Sequence, residues 1–347
     1  MQHSDYRLPA EWEKQSGVMI TWPHSNTDWA DKMTAIESFF IELSNQILQY
    51  ERLLIIANNE QHLLHIKSLL SNAQVNFDNL VVHIADSNDT WTRDYGPICL
   101  ANNNSSKLLN FIFNGWGNKF DARLDNQINS QLLTDEILTP TTFENFDFVL
   151  EGGSIDSDGN GCLLTTADCL LSPERNPNYN QEQINQFLME TFNLKKVHWL
   201  NSGYLAGDDT DSHIDMLARF TDENTIVYTS CNDPSDEHFT ALKAMEKELQ
   251  NLRNSADKAY NLKALPIPHA IFNSDNERLP ASYANFLIIN GAVLVPVYDD
   301  PHDEVALKVL QSCFSERKII AINALAAILQ SGSLHCLTMQ LPEGVLN

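Results

Sequence analysis

Basic residues are scarce in this chain: 22 lysines and arginines stand against 46 aspartates and glutamates, a formal charge of −24. That shortage argues against nucleic acid as a partner, because such binding rests on basic patches that neutralise phosphates. It suits a small cation, which a net-negative surface attracts over distance. Cysteines are few and spread out, at 99, 162, 169, 231, 313 and 336. None forms a C-x-x-C pair, so neither a zinc site nor a disulfide framework is indicated, and reduced thiols are expected. Long apolar runs are missing as well. The least polar stretch, residues 319–329, falls short of the ~18 apolar residues that span a bilayer. The first twenty residues are polar and acidic, without the apolar centre of a secretion signal. The expected setting is cytoplasmic, with no membrane partner.

No Pro/Gly/Ser linker or charge block divides the 347 residues, and apolar residues make up 43% of them. A single domain over 1–347 is expected. Its opening third alternates strand and helix. Residues 17–20, 53–57 and 80–84 read as strands; Ile36, Phe39, Phe40, Leu43 and Ile47 share one helical face, and residues 63–70 form a second helix. Later the rhythm changes to apolar run, turn cluster, apolar run, then helix. The hairpins fall at 154–165, 216–228 and 286–295, and the helices at 181–193, 235–252 and 303–314. Pro234 and Pro301 suit first helical turns behind capping Asp233 and Asp300. Recurrence at about 65–75 residues suggests a cyclic array of similar modules. Periodicity alone predicts an α/β protein with mixed or antiparallel sheets.

Four segments gather polar residues where strands end. Asp89-Thr90-Trp91-Thr92-Arg93-Asp94-Tyr95-Gly96-Pro97 reads as a turn, although two aromatics crowding an Arg-Asp pair are unusual there. Glu151-Gly152-Gly153 is a carboxylate followed by glycines that ease a bend. Residues 207–215 hold Asp208, Asp209, Asp211, His213 and Asp215. Oxygen-rich spacing of this kind can bind calcium or magnesium, but the central Gly and downstream Glu of an EF-hand loop are missing. His213 and Asp215, two apart on an extended segment, should face the same side of a sheet. The last segment, Ser331-Gly332-Ser333-Leu334-His335-Cys336, places a cysteine in a C-terminal strand behind a small-residue loop. Such a cysteine is more often a buried small hydrophobe than a nucleophile. A thiol, a histidine with an adjacent carboxylate and two further carboxylates together form the set needed to attack a delocalised cation.

These segments resemble the agmatine deiminase / bacterial peptidylarginine deiminase family of the guanidino-group-modifying superfamily. The likeness runs from Ile20-Thr21-Trp22-Pro23-His24 through residues 91–97, Phe113-Asn114-Gly115-Trp116-Gly117, 151–153 and 207–215 to Leu334-His335-Cys336-Leu337-Thr338-Met339-Gln340. Ser212 stands where the family has glycine, and residues 331–334 replace a more glycine-rich loop. The resemblance implies a five-bladed, pseudo-fivefold α/β propeller (the pentein fold). It implies Cys336 as nucleophile, His213 as general acid/base, Asp94 and Asp215 as a clamp on the guanidinium nitrogens, and Glu151 as the residue orienting His213. Trp91, Trp116 and Asp209 would line the substrate. The implied reaction hydrolyses agmatine to N-carbamoylputrescine and ammonia through an amidino-cysteine, a step of putrescine synthesis, with no metal or organic cofactor. Deimination of peptidylarginine or free arginine is the alternative, a catalytically inert cation binder is a third reading, and a homo-oligomer is left open.

Overall fold

The computed structural model describes residues 5–102, 104–140 and 142–347. Its first third alternates as the apolar spacing predicts: Gln15–Thr21 (β1), Met33–Leu48 (α1), Arg52–Ala57 (β2), Glu60–Asn72 (α2) and Leu80–Ile84 (β3). Leu53 through Ala57 are fully buried, as an apolar strand held between two parallel neighbours must be. The buried side of α1 carries Ile36, Phe39, Phe40, Leu43 and Ile47, the row that three-and-four spacing aligns.

Four further sheets follow. The second contains Thr92–Tyr95 (α3, a single turn), Ile98–Ala101 (β4), Ser106–Ile112 (β5), Gly115–Asn118 (α4), Asp125–Thr134 (α5) and Thr142–Val149 (β6). Then come Ile155–Ser157 (β7), Cys162–Thr166 (β8), Ala167–Leu170 (α6), Gln181–Phe192 (α7) and Lys196–Leu200 (β9). Ala218–Asp222 (β10), Thr225–Ser230 (β11), Phe239–Asn251 (α8) and Asn261–Pro266 (β12) form the fourth. Leu287–Ile289 (β13), Ala292–Val297 (β14), Asp303–Cys313 (α9) and Lys318–Asn323 (β15) form the fifth. In all four, the first strand pairs antiparallel with the second and the second pairs parallel with the third. A helix lies between the parallel strands, because parallel pairing needs a long return connection.

The first sheet acquires its antiparallel strand from the far end of the chain. Met339–Pro342 (β16) pairs with β1, giving the order β16-β1-β2-β3. Head and tail therefore meet in one sheet, and the segment carrying Cys336 is tied to the N-terminal unit. The fold is mixed α/β. Among the described residues no helix is long and apolar enough to cross a membrane.

Several local expectations shift. The middle strands β5, β8, β11 and β14 begin at 106, 162, 225 and 292, so only the last interval reaches the expected spacing. α8 and α9 start at Phe239 and Asp303, beyond Pro234 and Pro301. Asp233 and Asp300 instead accept backbone N–H bonds from Ser235 and His302, closing tight turns ahead of the helices. Ile214–Met216 is a 3-10 turn, so His213 and Asp215 do not share an extended segment. Cys336 lies in a turn before β16, not within a strand.

Candidate active site

Three short turns bring the polar segments together. α3 places Asp94 in the interior, where its Oδ2 accepts the Trp116 Nε1–H at 2.9 Å and its Oδ1 accepts the Gly153 N–H at 3.1 Å. A backbone bond of 3.2 Å from Arg93 N to the Cys336 carbonyl ties this turn to the cysteine loop. Gly153 sits where the groups converge. A Cβ there would lie 2.6 Å from His213 Nδ1, 2.9 Å from Asp94 Oδ1 and 3.1 Å from Asp215 Oδ2. Glycine is thus required by close approach, not merely by a bend.

The aspartate-rich loop is folded around its own carboxylates. Asp208 accepts from Thr210 N, Thr210 Oγ1 and Ser212 N, at 3.1, 2.6 and 2.8 Å. Thr210 Oγ1 in turn accepts the His213 N–H. Asp211 and Ser212 both have φ of +66°, a conformation that glycine would adopt at position 212 without strain. Asp211 pairs with Arg175 Nη1 at 2.6 Å and with Lys119 Nζ at 2.9 Å. With Asp208 and Asp211 engaged in this way, the loop braces His213.

His213 and Asp215 then meet different partners. The His213 Nδ1 lies 3.7 Å from Asp94 Oδ1. Glu151, Cys169 and His213 each bring one ligand-type atom within 4.8 Å of the others. Glu151 is gripped by Arg175 Nε at 3.0 Å to each carboxylate oxygen. Burial lowers the proton affinity of His213, but Asp94, Cys169 and Glu151 outweigh it and hold the ring well above its ordinary pKa. Asp215 Oδ2 bonds His335 Nδ1 at 2.7 Å and lies 3.7 Å from Cys336 Sγ, while its Oδ1 is buried without a partner among the described residues. Burial tends to raise Asp215, yet the bond and charge of His335 carry it below the usual range. Burial lifts Asp94 to about 6. Burial, Asp215 and Asp94 push the Cys336 thiol well above its ordinary value. Asn285 supports the thiol, its Nδ2 lying 3.3 Å from Sγ.

A cavity of about 210 Å³ opens onto Cys336 and Asp94. Trp91, Trp116, Phe113 and Phe120 form its aromatic wall, and Gly332 lies against the Trp91 ring. Seven aspartates line it (28, 89, 94, 121, 125, 208 and 209), with no lysine or arginine. Burial raises Asp89 and Asp209 to about 6 and Asp125 to about 7. An aromatic slot walled by carboxylates whose charge is costly when empty is built for a flat or elongated cation.

A family model described as Porphyromonas-type peptidyl-arginine deiminase matches residues 7–342. The chain belongs to that family. It is 32% identical to the agmatine deiminase of Pseudomonas syringae pv. tomato over 97% of this chain and 95% of the relative. A cysteine-to-serine form of C. jejuni agmatine deiminase with substrate bound is 38% identical, covers 98% of this chain and 97% of its own, and superposes with a TM-score of 0.90. A Porphyromonas gingivalis structure provisionally assigned as an arginine deiminase is 43% identical over 99% of this chain and all of its own, with a TM-score of 0.91.

Within this deiminase family member the expected residues Cys336, His213, Asp94, Asp215 and Glu151 gather behind one cavity, and Trp91, Trp116 and Asp209 line it. One expectation changes, and two neighbouring groups turn away from the cavity. Glu151 bonds Arg175, and no direct hydrogen bond joins it to His213 among the described residues. Arg93 does not brace Asp94; it reaches Glu11 Oε1 at 3.3 Å and the His335 carbonyl at 3.3 Å. Asp211 faces Arg175 and Lys119 and does not line the cavity. Sequence reasoning missed Glu11, Cys169, Arg175 and Asn285. Each stands outside the polar clusters, with no periodic or motif signal of its own. Asp28, Asp121 and Asp125 were equally hidden, being ordinary surface-type residues until the fold assembles them.

Proposed function

We propose that this protein is an agmatine deiminase: a hydrolase of the amidine C–N bond that converts agmatine to N-carbamoylputrescine and ammonia, acting in the cytoplasm within putrescine synthesis. The observation that carries this reading is the cavity itself, in which a buried thiol is reached through an aromatic slot lined by seven aspartates and no basic residue. Agmatine is cationic at both ends, whereas arginine would bring a carboxylate with nothing to receive it. The relatives named agmatine deiminase support the same substrate.

In this reading Asp94 and Asp215 hold the guanidinium nitrogens by paired, charge-assisted bonds, fixing its plane and concentrating positive charge on the central carbon. Entry of the cation reverses the field that keeps Cys336 protonated, and the thiol proton leaves as the substrate's charge arrives. Sγ attacks the carbon, and protonated His213 gives its proton to the departing nitrogen, which leaves as ammonia. The amidino-thioether remains on Cys336. Neutral His213 next takes a proton from water as the water oxygen attacks the same carbon. The C–S bond breaks, the proton left on the former water oxygen passes to solvent or back to the thiolate, and the neutral ureido product leaves with Cys336 regenerated. Glu151 acts on His213 through its charge, held in place by Arg175. The chain forms one domain over 1–347. Its five sheets, with β16 completing the first, are blades of a pseudo-fivefold propeller around this site.

A second reading, deimination of free or peptidyl arginine, is favoured by the description of the family model and by the 43% identical P. gingivalis structure. Ammonia release from agmatine, free arginine and an arginine peptide, each with chelator present, tests the assignment. Preference for agmatine upholds it, and preference for either arginine substrate replaces it. Loss of activity on chelation, restored by a divalent ion, would replace it with a metal-dependent reaction.

A further inference from the structure

Behind Asp215 a chain of charged groups runs to the N-terminal segment. His335 Nδ1 lies 2.7 Å from Asp215 Oδ2, and its Nε2 lies 2.8 Å from Glu11 Oε1. Glu11 also accepts Gln340 Nε2 at 2.9 Å, Arg93 Nη1 at 3.3 Å and the Arg219 guanidinium. Arg219 continues to Asp156 Oδ1 at 3.0 Å. The Asn285 side chain holds the loop: its Oδ1 accepts the His335 N–H at 2.9 Å and the Cys336 N–H at 3.4 Å.

Both imidazole nitrogens therefore face carboxylate oxygens at hydrogen-bond distance. A neutral ring has one N–H and could satisfy only one of them. Arg219, His335 and Arg93 hold Glu11 well below the usual carboxylate range despite its burial, so no carboxylic acid proton is available from that side. Burial, Arg219 and Arg93 outweigh Glu11 and Asp215 and press the ring below its ordinary pKa, whereas its contacts point the other way. The contact geometry favours the imidazolium, since it alone gives each carboxylate a donor. In that state Asp215 Oδ2 is fixed, and Oδ1, buried and without a partner among the described residues, is left for a ligand.

We propose that Glu11 and His335 form a positioning pair in which Glu11 keeps a proton on His335 Nε2, so that the charged ring holds Asp215 ionised and aimed at the substrate guanidinium. This rests on the deiminase reading of the same site. Neither residue touches the substrate. Glu11 is contributed by the segment before β1, and it borders a second cavity of about 90 Å³ that shares no wall residue with the one above Cys336. Removing its charge therefore need not disturb packing around the thiol.

The test compares wild type with Glu11→Gln, Glu11→Asp and His335→Asn, each first shown to fold by circular dichroism and thermal melting. Glu11→Gln keeps the shape and a polar partner for Nε2 but removes the charge, so the ring reverts to neutral. The groups facing His335 are Glu11, Asp215, Arg93 and Arg219, with Cys336 beside Asp215 and Asp156 behind Arg219. Losing the imidazolium raises Asp215 toward Asp94, so the fall of kcat/KM for agmatine below the limb that Asp94 sets at about 6 should become steeper, two carboxylates now titrating in place of one. Below pH 6 KM should rise more than kcat falls. His335→Asn, which retains a donor to Asp215 without charge, should show the same steeper limb, and Glu11→Asp should restore most of the wild-type profile. The imidazole ¹⁵N signal of His335, assigned by its loss in His335→Asn, should report two protonated nitrogens in wild type at pH 7 and one in Glu11→Gln. Superimposable pH profiles for folded wild type and Glu11→Gln, or a neutral His335 in wild type, would overturn the proposal. Should wild type release no ammonia from agmatine, the function reading fails, and the imidazole signal still decides whether Glu11 sets the charge on His335.

Discussion

Cys336 Sγ lies 3.7 Å from Asp215 Oδ2, and burial together with the charges of Asp215 and Asp94 pushes the thiol well above its ordinary value while the site is empty. A carboxylate beside a nucleophilic thiol is useful only when a cation enters between them. The free enzyme should therefore be sluggish toward neutral electrophiles. Mass spectrometry after treatment at pH 7.5 should find Cys336 modified by 2-chloroacetamidine at least about tenfold faster than by 2-chloroacetamide, once each rate is divided by that of a free small thiol. Cys336→Ala and Cys336→Ser should both lose turnover while melting as wild type does. A variant that kept more than a few per cent of activity would remove Cys336 from the mechanism.

Asp94 and Asp215 differ in their resting proton affinities, and the difference is visible in the pH response. Burial raises Asp94 to about 6, whereas Asp215 is held below the usual range. If Asp94 grips the substrate as proposed, it does so ionised, and kcat/KM should fall as pH drops through about 6. Asp94→Asn should remove that limb. Either asparagine variant should lose ~2–5 kcal/mol of transition-state binding, measured as kcat/KM against wild type. Values within threefold of wild type would discard the clamp.

Gly153 supplies a direct probe of convergence. A methyl group there would meet His213 Nδ1, Asp94 Oδ1 and Asp215 Oδ2 at once, all at 3.1 Å or less. Gly153→Ala should fold but lose most of its agmatine turnover, because the three polar groups must part to admit it. Wild-type kinetics in this variant would mean that they do not act together.

The part of the site written in contiguous polar clusters was legible from the chain. Asp94, His213 and Cys336 each lie in a dense local pattern, and the apolar spacing of α1 and β2 announced their burial. Partners that depend on distant closure were not legible. β16 finds β1 across more than three hundred residues, and Glu11, Arg175 and Asn285 reach the site only through such closures. The turn at Ile214–Met216 escaped notice because its apolar content matches that of the strand it precedes. α8 begins late because Asp233 and Asp236 spend their carboxylates on Ser235 and His238 N–H groups, making turns where a helix start was expected.

Glu51 tests the electrostatics of the interior away from the site. Its Oε2 accepts the Asn290 N–H at 2.9 Å, and its Oε1 is buried without a partner among the described residues. Burial raises its pKa to about 7, above the unfolded carboxylate value. The folded state thus holds the proton more tightly than the unfolded one, and stability falls as pH rises from about 5 to about 8 through this group. Glu51→Gln should gain ~1–2 kcal/mol at pH 8 and nothing at pH 5 in urea denaturation. An equal effect at both pH values would refute the assignment.

Substrate choice follows from what the cavity lacks. Agmatine and arginine carry the same reacting group and differ by one α-carboxylate. Arg93, the one cation within the motif that could have received that carboxylate, is buried against Glu11, the His335 carbonyl and Gln340. Arg175 is committed to Glu151 and Asp211, and Lys119 to Asp211 and the Asp209 carbonyl. Arginine's carboxylate would therefore enter beside Asp208 and Asp209 with no donor of opposite charge on the cavity wall. The free amine of agmatine would meet those same carboxylates favourably and draw down the raised pKa of Asp209. One unpaired charge in a partly desolvated site is worth ~3 kcal/mol, on the order of a hundredfold in kcat/KM for agmatine over arginine. Asp209→Asn should narrow that ratio mainly by raising the KM for agmatine, and added salt should narrow it further. Steady-state kinetics on agmatine, free arginine and an arginine-containing peptide at equal ionic strength decide the matter. Equal or better efficiency on either arginine substrate would leave the deimination chemistry standing and move the assignment to an arginine deiminase.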